Sequence, residues 1–276
     1  MAKARSQRIP KQVFMTARFP ISAVLKSHFS ELYSSNPDYD FHLYDDNQVR
    51  DYISAHWGAF LLGIYDSIGV EYFPAKIDLW RYLIIYHKGG VYFDDKSGPV
   101  KTLSSLIKPN DKMIISTWGE NTMHWKKDYG HRKGEFTNWC VIAESRHPMV
   151  RCIIVDMIDR IINYNGVEFG KTGVLKLTGP IGSTTTILEN LPKLKNEIRV
   201  LKNTFGRKMY FNAITKSKKF SNTHESMREK DRLYSIQKSP IVNLDKVKAL
   251  VSEFRIDQGR SLESVIFQIP DNLPRF

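Results

Sequence analysis

The stretch from Ala75 to Lys96, AKIDLWRYLIIYHKGGVYFDDK, constrains the fold of this chain more than any other. Between Ala75 and Lys88 the residues Ile77, Leu79, Trp80, Tyr82, Leu83, Ile84, Ile85 and Tyr86 leave almost no face polar. A helix that is apolar nearly all round is a buried one. Asp78 and Arg81 stand at i and i+3, so they share a face of that helix. A buried charge without a partner costs several kcal/mol, so either the two satisfy each other or they face a polar ligand in a cleft. Gly89-Gly90 stop the helix, because Gly is the usual C-terminal cap. Val91-Tyr92-Phe93 then reads as a short buried strand, with Asp94 and Asp95 emerging where it ends. In open α/β sheets, ligands bind outside the carboxyl ends of the strands. Acidic residues in that place suit a divalent cation and, through it, phosphate oxygens.

The remainder of the chain alternates between strand and helix patterns. Gln12 to Thr16 reads as a strand, and Ile21 to Tyr33 as an amphipathic helix ended by Ser34-Ser35-Asn36-Pro37. Asp40 to Tyr44 is a second strand, Asn47 caps a helix reaching about Trp57, and another helix follows from Ala59 to Ile68. Pro74 suits the first turn of the buried helix. Strands are expected over Lys112 to Thr117 and Thr137 to Ala143, and Pro148 opens an amphipathic helix to Ile162. Such alternation predicts an α/β fold with a mainly parallel sheet flanked by helices. No Pro/Gly/Ser linker and no repeat divides residues 1–276, which predicts a single domain.

At 42% hydrophobic residues, the chain has enough apolar surface for one large core. Its 41 Lys and Arg against 29 Asp and Glu give a net charge of +12, which implies an anionic partner: a nucleotide diphosphate, nucleic acid or an acidic membrane surface. The positive charge is scattered and no zinc, RRM or helix-turn-helix signature accompanies it, which argues against nucleic acid. Cys140 and Cys152 sit in apolar surroundings and read as buried thiols; two cysteines exclude a disulfide framework. The opening MAKARSQRIPK has no apolar stretch, and no run reaches the roughly 18 apolar residues of a membrane span. The expectation is a soluble, cytoplasmic protein without a membrane-spanning segment.

Asp78, Arg81, Gly89, Gly90, Val91, Tyr92 and Asp94 together resemble, in order and spacing, the sugar-binding region of glycosyltransferases that carry a DXD motif. This is the family 32 type of the yeast initiating mannosyltransferases, and the glucosylating domains of large clostridial toxins share its layout. Ile9-Pro10-Lys11-Gln12-Val13 with Thr16, and Tyr44-Asp45-Asp46, resemble the family's first two strands; Asn138 and His147-Pro148 fall in recognisable places. One departure matters: the motif's second Asp falls on Lys96, so the chain reads Asp94-Asp95-Lys96.

The resemblance implies a GT-A-like, Rossmann-type sheet, with a donor-binding core over about 9–180 and an acceptor-side and lid segment over about 181–276. It implies transfer of a hexose-type sugar from a UDP- or GDP-sugar donor to a hydroxyl of a glycan or glycoconjugate, with retention of configuration and with Mn²⁺ or Mg²⁺ as cofactor. Asp78 would accept from ribose or sugar hydroxyls and Arg81 would donate to sugar or phosphate oxygens, with Thr16 and Tyr92 on the donor side. Asp94 and Asp95 would hold the metal, Lys96 would stabilise the leaving group, and Asn138 would face the acceptor side of the donor sugar. A late metal or phosphate ligand is expected from Asn222, His224 or Ser226, with His224 as the metal candidate. Two alternatives remain from other classes: a catalytically inactive sugar-nucleotide-binding relative, and a basic nucleic-acid binder.

Two segments stay open. Thr178-Gly179-Pro180-Ile181-Gly182-Ser183-Thr184 lacks the lysine and spacing of a P-loop; it is either a structural turn or a helix start whose free N–H groups face an anion. His124-Trp125-Lys126-Lys127, with Trp118 nearby, is either a sugar-stacking loop or a solvated one. On an extended strand Lys96 would point to the same side as Asp94 and face the diphosphate. A sharp turn at Asp95 would instead give Asp95 the ligand position. The first arrangement is the expected one.

Overall fold

The computed structural model of the chain describes residues 7–17, 20–117, 135–201, 208–210 and 238–267. Its main sheet has six strands: β1 (Gln12–Thr16), β2 (Asp40–Tyr44), β3 (Gly90–Phe93), β5 (Met113–Ser116), β6 (Cys140–Ala143) and β7 (Ile198–Leu201). They lie in the order β2-β1-β3-β6-β5-β7. β1 pairs in parallel with β2 and β3, β5 with β7, and β6 runs antiparallel to both its neighbours. The sheet is therefore mainly parallel, as the alternation of strands and helices predicts. A small second sheet pairs β4 (Gly98–Pro99) with β8 (Met209–Tyr210).

Strand alternation divides the core. Val13, Met15, Val91 and Phe93 point to the face covered by α1 (Ala23–Ser35), together with Leu32 and Tyr39. Phe14, Tyr92 and Val141 point to the larger core on the other face. That core is built by α2 (Asp46–Ser67), α3 (Phe73–Lys88) and α5 (Pro148–Ile162). α5 matches the expected range; α2 opens two residues earlier than expected. Asp45 rather than Asn47 caps it, in a capping box with Gln48. Gly58 (φ 75°, ψ 178°) breaks the helical path between Trp57 and Ala59, where two helices were expected.

α3 is buried along its whole middle, from Ile77 to Tyr86, including Asp78 and Arg81. Pro74 lies in its first turn and Gly89 (φ 66°) caps its end. Gly90 (φ 103°) starts β3 so close to β1 that a Cβ there would lie 2.6 Å from the Gln12 carbonyl oxygen. β3 ends at Phe93. The next four residues form a turn closed by the Ser97 N–H donating to the Asp94 carbonyl at 2.9 Å. The chain is therefore not extended through Asp95, and the period-of-two argument that would send Lys96 to the same side as Asp94 does not apply. Among the described residues, no helix is long and apolar enough to cross a membrane.

Candidate active site

The carboxyl end of β3 and the middle of α3 place charged groups against each other under cover of the core. Asp78 Oδ1 accepts from the Asn138 side-chain amide at 2.9 Å and lies 3.1 Å from Arg81 Nη2. Asp78 Oδ2 accepts from the Thr178 hydroxyl at 3.0 Å. Arg81 Nη2 also lies 3.1 Å from Asp94 Oδ1, and its Nη1 donates to the Asn138 carbonyl at 2.6 Å. The guanidinium stands 4.9 Å from the centroid of the Tyr92 ring, a cation–π distance. Tyr92 in turn donates its phenolic hydrogen to Asp94 Oδ1 at 2.9 Å and is hydrogen-bonded to the buried Thr16 hydroxyl.

One guanidinium thus bridges two carboxylates. Of the alternatives for Asp78 and Arg81, mutual satisfaction is what is seen, enlarged by Asp94, Asn138 and Thr178. The electrostatics follow from burial. Desolvation pushes the Asp78 carboxyl up to about 6 against the downward pull of Arg81. It raises Asp94 as well, again against Arg81 and the Tyr92 hydrogen bond. For Arg81, burial works against the charge, but Asp94, Tyr92 and Asp78 outweigh it and keep its pKa above the ordinary value.

The three charged groups differ in reach. The side chains of Arg81 and Asp78 are 6% and 8% exposed, whereas that of Asp94 is 28% exposed, so Asp94 carries the network to the surface. Its contacts with Tyr92 and Arg81 both fall on Oδ1, so that among the described residues Oδ2 is the oxygen left for a cation. Asp95 and Lys96 lie half-buried in the turn beside it. Carboxylate oxygens are the donors that Mn²⁺ and Mg²⁺ take, and Mg²⁺ is typically held by one or two carboxylates completed by substrate phosphates and water. Asp94 and Asp95 fit that pattern. Among the described residues no group of three His, Cys, Asp or Glu side chains converges into an all-protein cage.

Of the residues singled out in the sequence, Thr16, Asp78, Arg81, Tyr92, Asp94 and Asn138 meet in one network, with Asp95 and Lys96 adjoining it. His224, Asn222, Ser226, Trp118 and Trp125 lie outside the described residues. In the sequence Thr178 stands out only as part of a Gly-rich turn, yet its hydroxyl completes the Asp78 shell. It sits at the end of α6 (Gly170–Leu177), just before α7 (Pro180–Leu194). Its bond to Asp78 spans 100 residues, so no local signal announces it. Cys140 and Cys152 are free thiols, Cys140 buried as expected and Cys152 partly so.

Residues 22–116 match the family model described as "Glycosyltransferase sugar-binding region containing DXD motif". The matched stretch holds α3, β3 and the Asp94 end of the carboxylate turn, so the motif from Asp78 to Asp94 lies inside it. The chain is similar to an initiation-specific alpha-1,6-mannosyltransferase of Schizosaccharomyces pombe, 25% identical over an alignment of 197 residues that covers 66% of this chain and 49% of that protein. It is similar also to the protein of the same name from Candida albicans, 26% identical over an alignment of 147 residues that covers 46% of this chain and 38% of that protein. The chain thus spans about half of the first relative and less of the second. Among solved structures, the PaToxG glycosyltransferase superposes with a TM-score of 0.50 at 17% identity, covering 69% of this chain and 72% of that one. That superposition supports the GT-A-like fold.

Proposed function

We propose that this protein transfers a sugar from a nucleoside-diphosphate donor, a UDP- or GDP-sugar, to a hydroxyl of a glycan or related acceptor, with retention of configuration. The observation that carries the proposal is Arg81 held at 3.1 Å from both Asp78 and Asp94, at the carboxyl end of β3 and inside the matched region. The names of the two fungal relatives make mannose the first sugar to test.

Asp78 has both oxygens engaged, so its part is to orient Arg81 together with Asn138 and Thr178. Arg81 holds Asp94 in place and offsets its charge. Asp94 Oδ2 and the Asp95 carboxylate are the groups that would hold Mn²⁺ or Mg²⁺, Asp95 taking the second ligand position because the chain turns there. When bound, the cation neutralises charge on the departing diphosphate. The acceptor's proton passes to a β-phosphate oxygen of the leaving group on the same face, so no protein side chain serves as base. The chain's own contribution is a preorganised, partly dehydrated arrangement of charge. Lys96 stands at the side of the turn, close enough that its charge, after Arg81 and the Tyr92 hydrogen bond, pulls against the rise that burial gives the Asp94 pKa.

The test is a panel of UDP- and GDP-sugars incubated with the protein and Mn²⁺, read as nucleoside diphosphate release with and without oligosaccharide acceptors. Acceptor-stimulated release from one donor is expected, with the anomeric configuration of the product settling retention. Lys96 in place of the motif's second Asp supports one other reading, an inactive sugar-nucleotide binder. Tight donor binding with no release from any donor would favour that reading over the enzyme.

A further inference from the structure

Resting on that reading, we infer that His28 is a positioning residue for the Asp94–Asp95 carboxylate pair. It lies on α1, buried among Phe29, Tyr210 and the backbone at Ser97. Its Nε2 stands 3.3 Å from the Ser97 carbonyl oxygen and donates to it.

Ser97 is the residue that closes the carboxylate turn. The turn is fixed at its entry by the Asp94 N–H donating to the Trp139 carbonyl at 2.9 Å, and is closed by the Ser97 N–H donating to the Asp94 carbonyl. Its exit is held from the opposite side of the sheet by α1. His28 takes the Ser97 carbonyl, and four residues on, Leu32 and Tyr210 enclose Gly98 so closely that a Cβ there would meet Leu32 Cδ1 at 2.5 Å and Tyr210 Oη at 2.6 Å. The His28 ring meets the Tyr210 ring edge-on at 5.8 Å, and Tyr210 is paired with Gly98 across the small sheet.

Asp95 and Lys96 are the turn's two middle residues, and hydrogen bonds at its start and end decide where their side chains point. Groups that hold metal ligands in place typically change metal affinity by about 10- to 100-fold when removed. His28 therefore sets the position of the carboxylates without touching donor, metal or acceptor.

The experiment compares His28→Phe, which keeps an aromatic ring without the donor, with His28→Gln, whose side-chain amide can replace the Nε2–H. Hydrogen exchange of the peptide covering residues 94–100 is measured in each ligand-free protein. Mn²⁺ affinity is then measured by titration in the presence of UDP or GDP. His28→Phe should exchange faster in that peptide and bind Mn²⁺ about 10-fold more weakly, while His28→Gln should return both towards the native values. Unchanged exchange in His28→Phe would overturn the clamp. Faster exchange with unchanged Mn²⁺ affinity would show that the clamp does not serve the carboxylates, and overturn the assignment. If the native protein binds no Mn²⁺ with either nucleotide, the metal-dependent glycosyltransferase reading fails, and with it the positioning role, while the exchange arm still decides whether the clamp exists.

Discussion

At the scale of single residues, Arg81 is the counter-ion for two carboxylates at once, Asp78 buried and Asp94 partly exposed, so its loss should be felt in the fold as well as in turnover. Breaking a buried pair by removing one partner costs about 3–5 kcal/mol. Arg81→Ala should lower stability by about that amount in urea unfolding and abolish donor turnover. A loss under about 1 kcal/mol would mean that the network contributes no more than a surface ion pair. Arg81→Lys should retain part of the stability and little activity, because a point charge cannot hold Asp78, Asp94 and the Asn138 carbonyl together. Asp78 makes a second prediction. Burial raises its pKa from 3.8 to about 6, so the stability it contributes is fully present below the unfolded value and is lost as pH rises through about 6. Asp78→Asn does not titrate and serves as the reference. The unfolding free energy of the native protein minus that of Asp78→Asn should rise as pH is lowered from 7 to 5. A flat difference would show that Asp78 is not held at a raised pKa.

At the scale of elements, the α3–β3 junction depends on backbone that an L side chain resists. Gly90 has φ 103°, and a Cβ placed on it would stand only 2.6 Å from the Gln12 oxygen. Gly90→Ala should cost about 1–3 kcal/mol in backbone strain and disturb the β1–β3 pairing further, read as a lowered denaturation midpoint. A midpoint equal to the native one would refute the close approach. This junction was legible because its signals are local: an all-round apolar helix, a Gly-Gly stop and a β-branched, aromatic run occupy adjacent positions. The turn at Asp95 was not, since Asp-Asp-Lys fits an extended strand as well as a turn. Its closure depends on Ser97 and on pairing of Gly98 with Tyr210, far along the chain. With the turn present, Asp95→Ala should weaken Mn²⁺ dependence as strongly as Asp94→Asn, and Lys96→Ala should stay within about threefold of native activity, a change under 1 kcal/mol. The reverse pattern, Lys96 essential and Asp95 silent, would give the leaving-group role back to Lys96.

At the scale of the whole molecule, the candidate site is assembled from the neighbouring strands β1, β3 and β6, from α3 and from the junction of α6 and α7. The family match ends at residue 116, but Asp78 at its centre is hydrogen-bonded by Asn138, beside β6, and by Thr178, between α6 and α7. Sequence pattern could supply the mainly parallel sheet and the motif's own residues. It could not supply Thr178, because a hydroxyl in a Gly-rich turn carries no mark of a partner 100 residues away. Since distant stretches meet at this network, a ligand bound against Asp94 should stabilise the molecule as a unit. A ligand at 100 times its dissociation constant adds about 2.7 kcal/mol, and for a chain of this size each kcal/mol moves the melting midpoint by roughly 2–4 °C. UDP or GDP with Mn²⁺ should therefore raise the midpoint by about 5–10 °C. EDTA should remove most of that shift, and Asp94→Asn should show little of it even with Mn²⁺ present. A full shift in chelator, retained by Asp94→Asn, would mean that the diphosphate is held by the chain's own cations and that Asp94 is not a metal ligand.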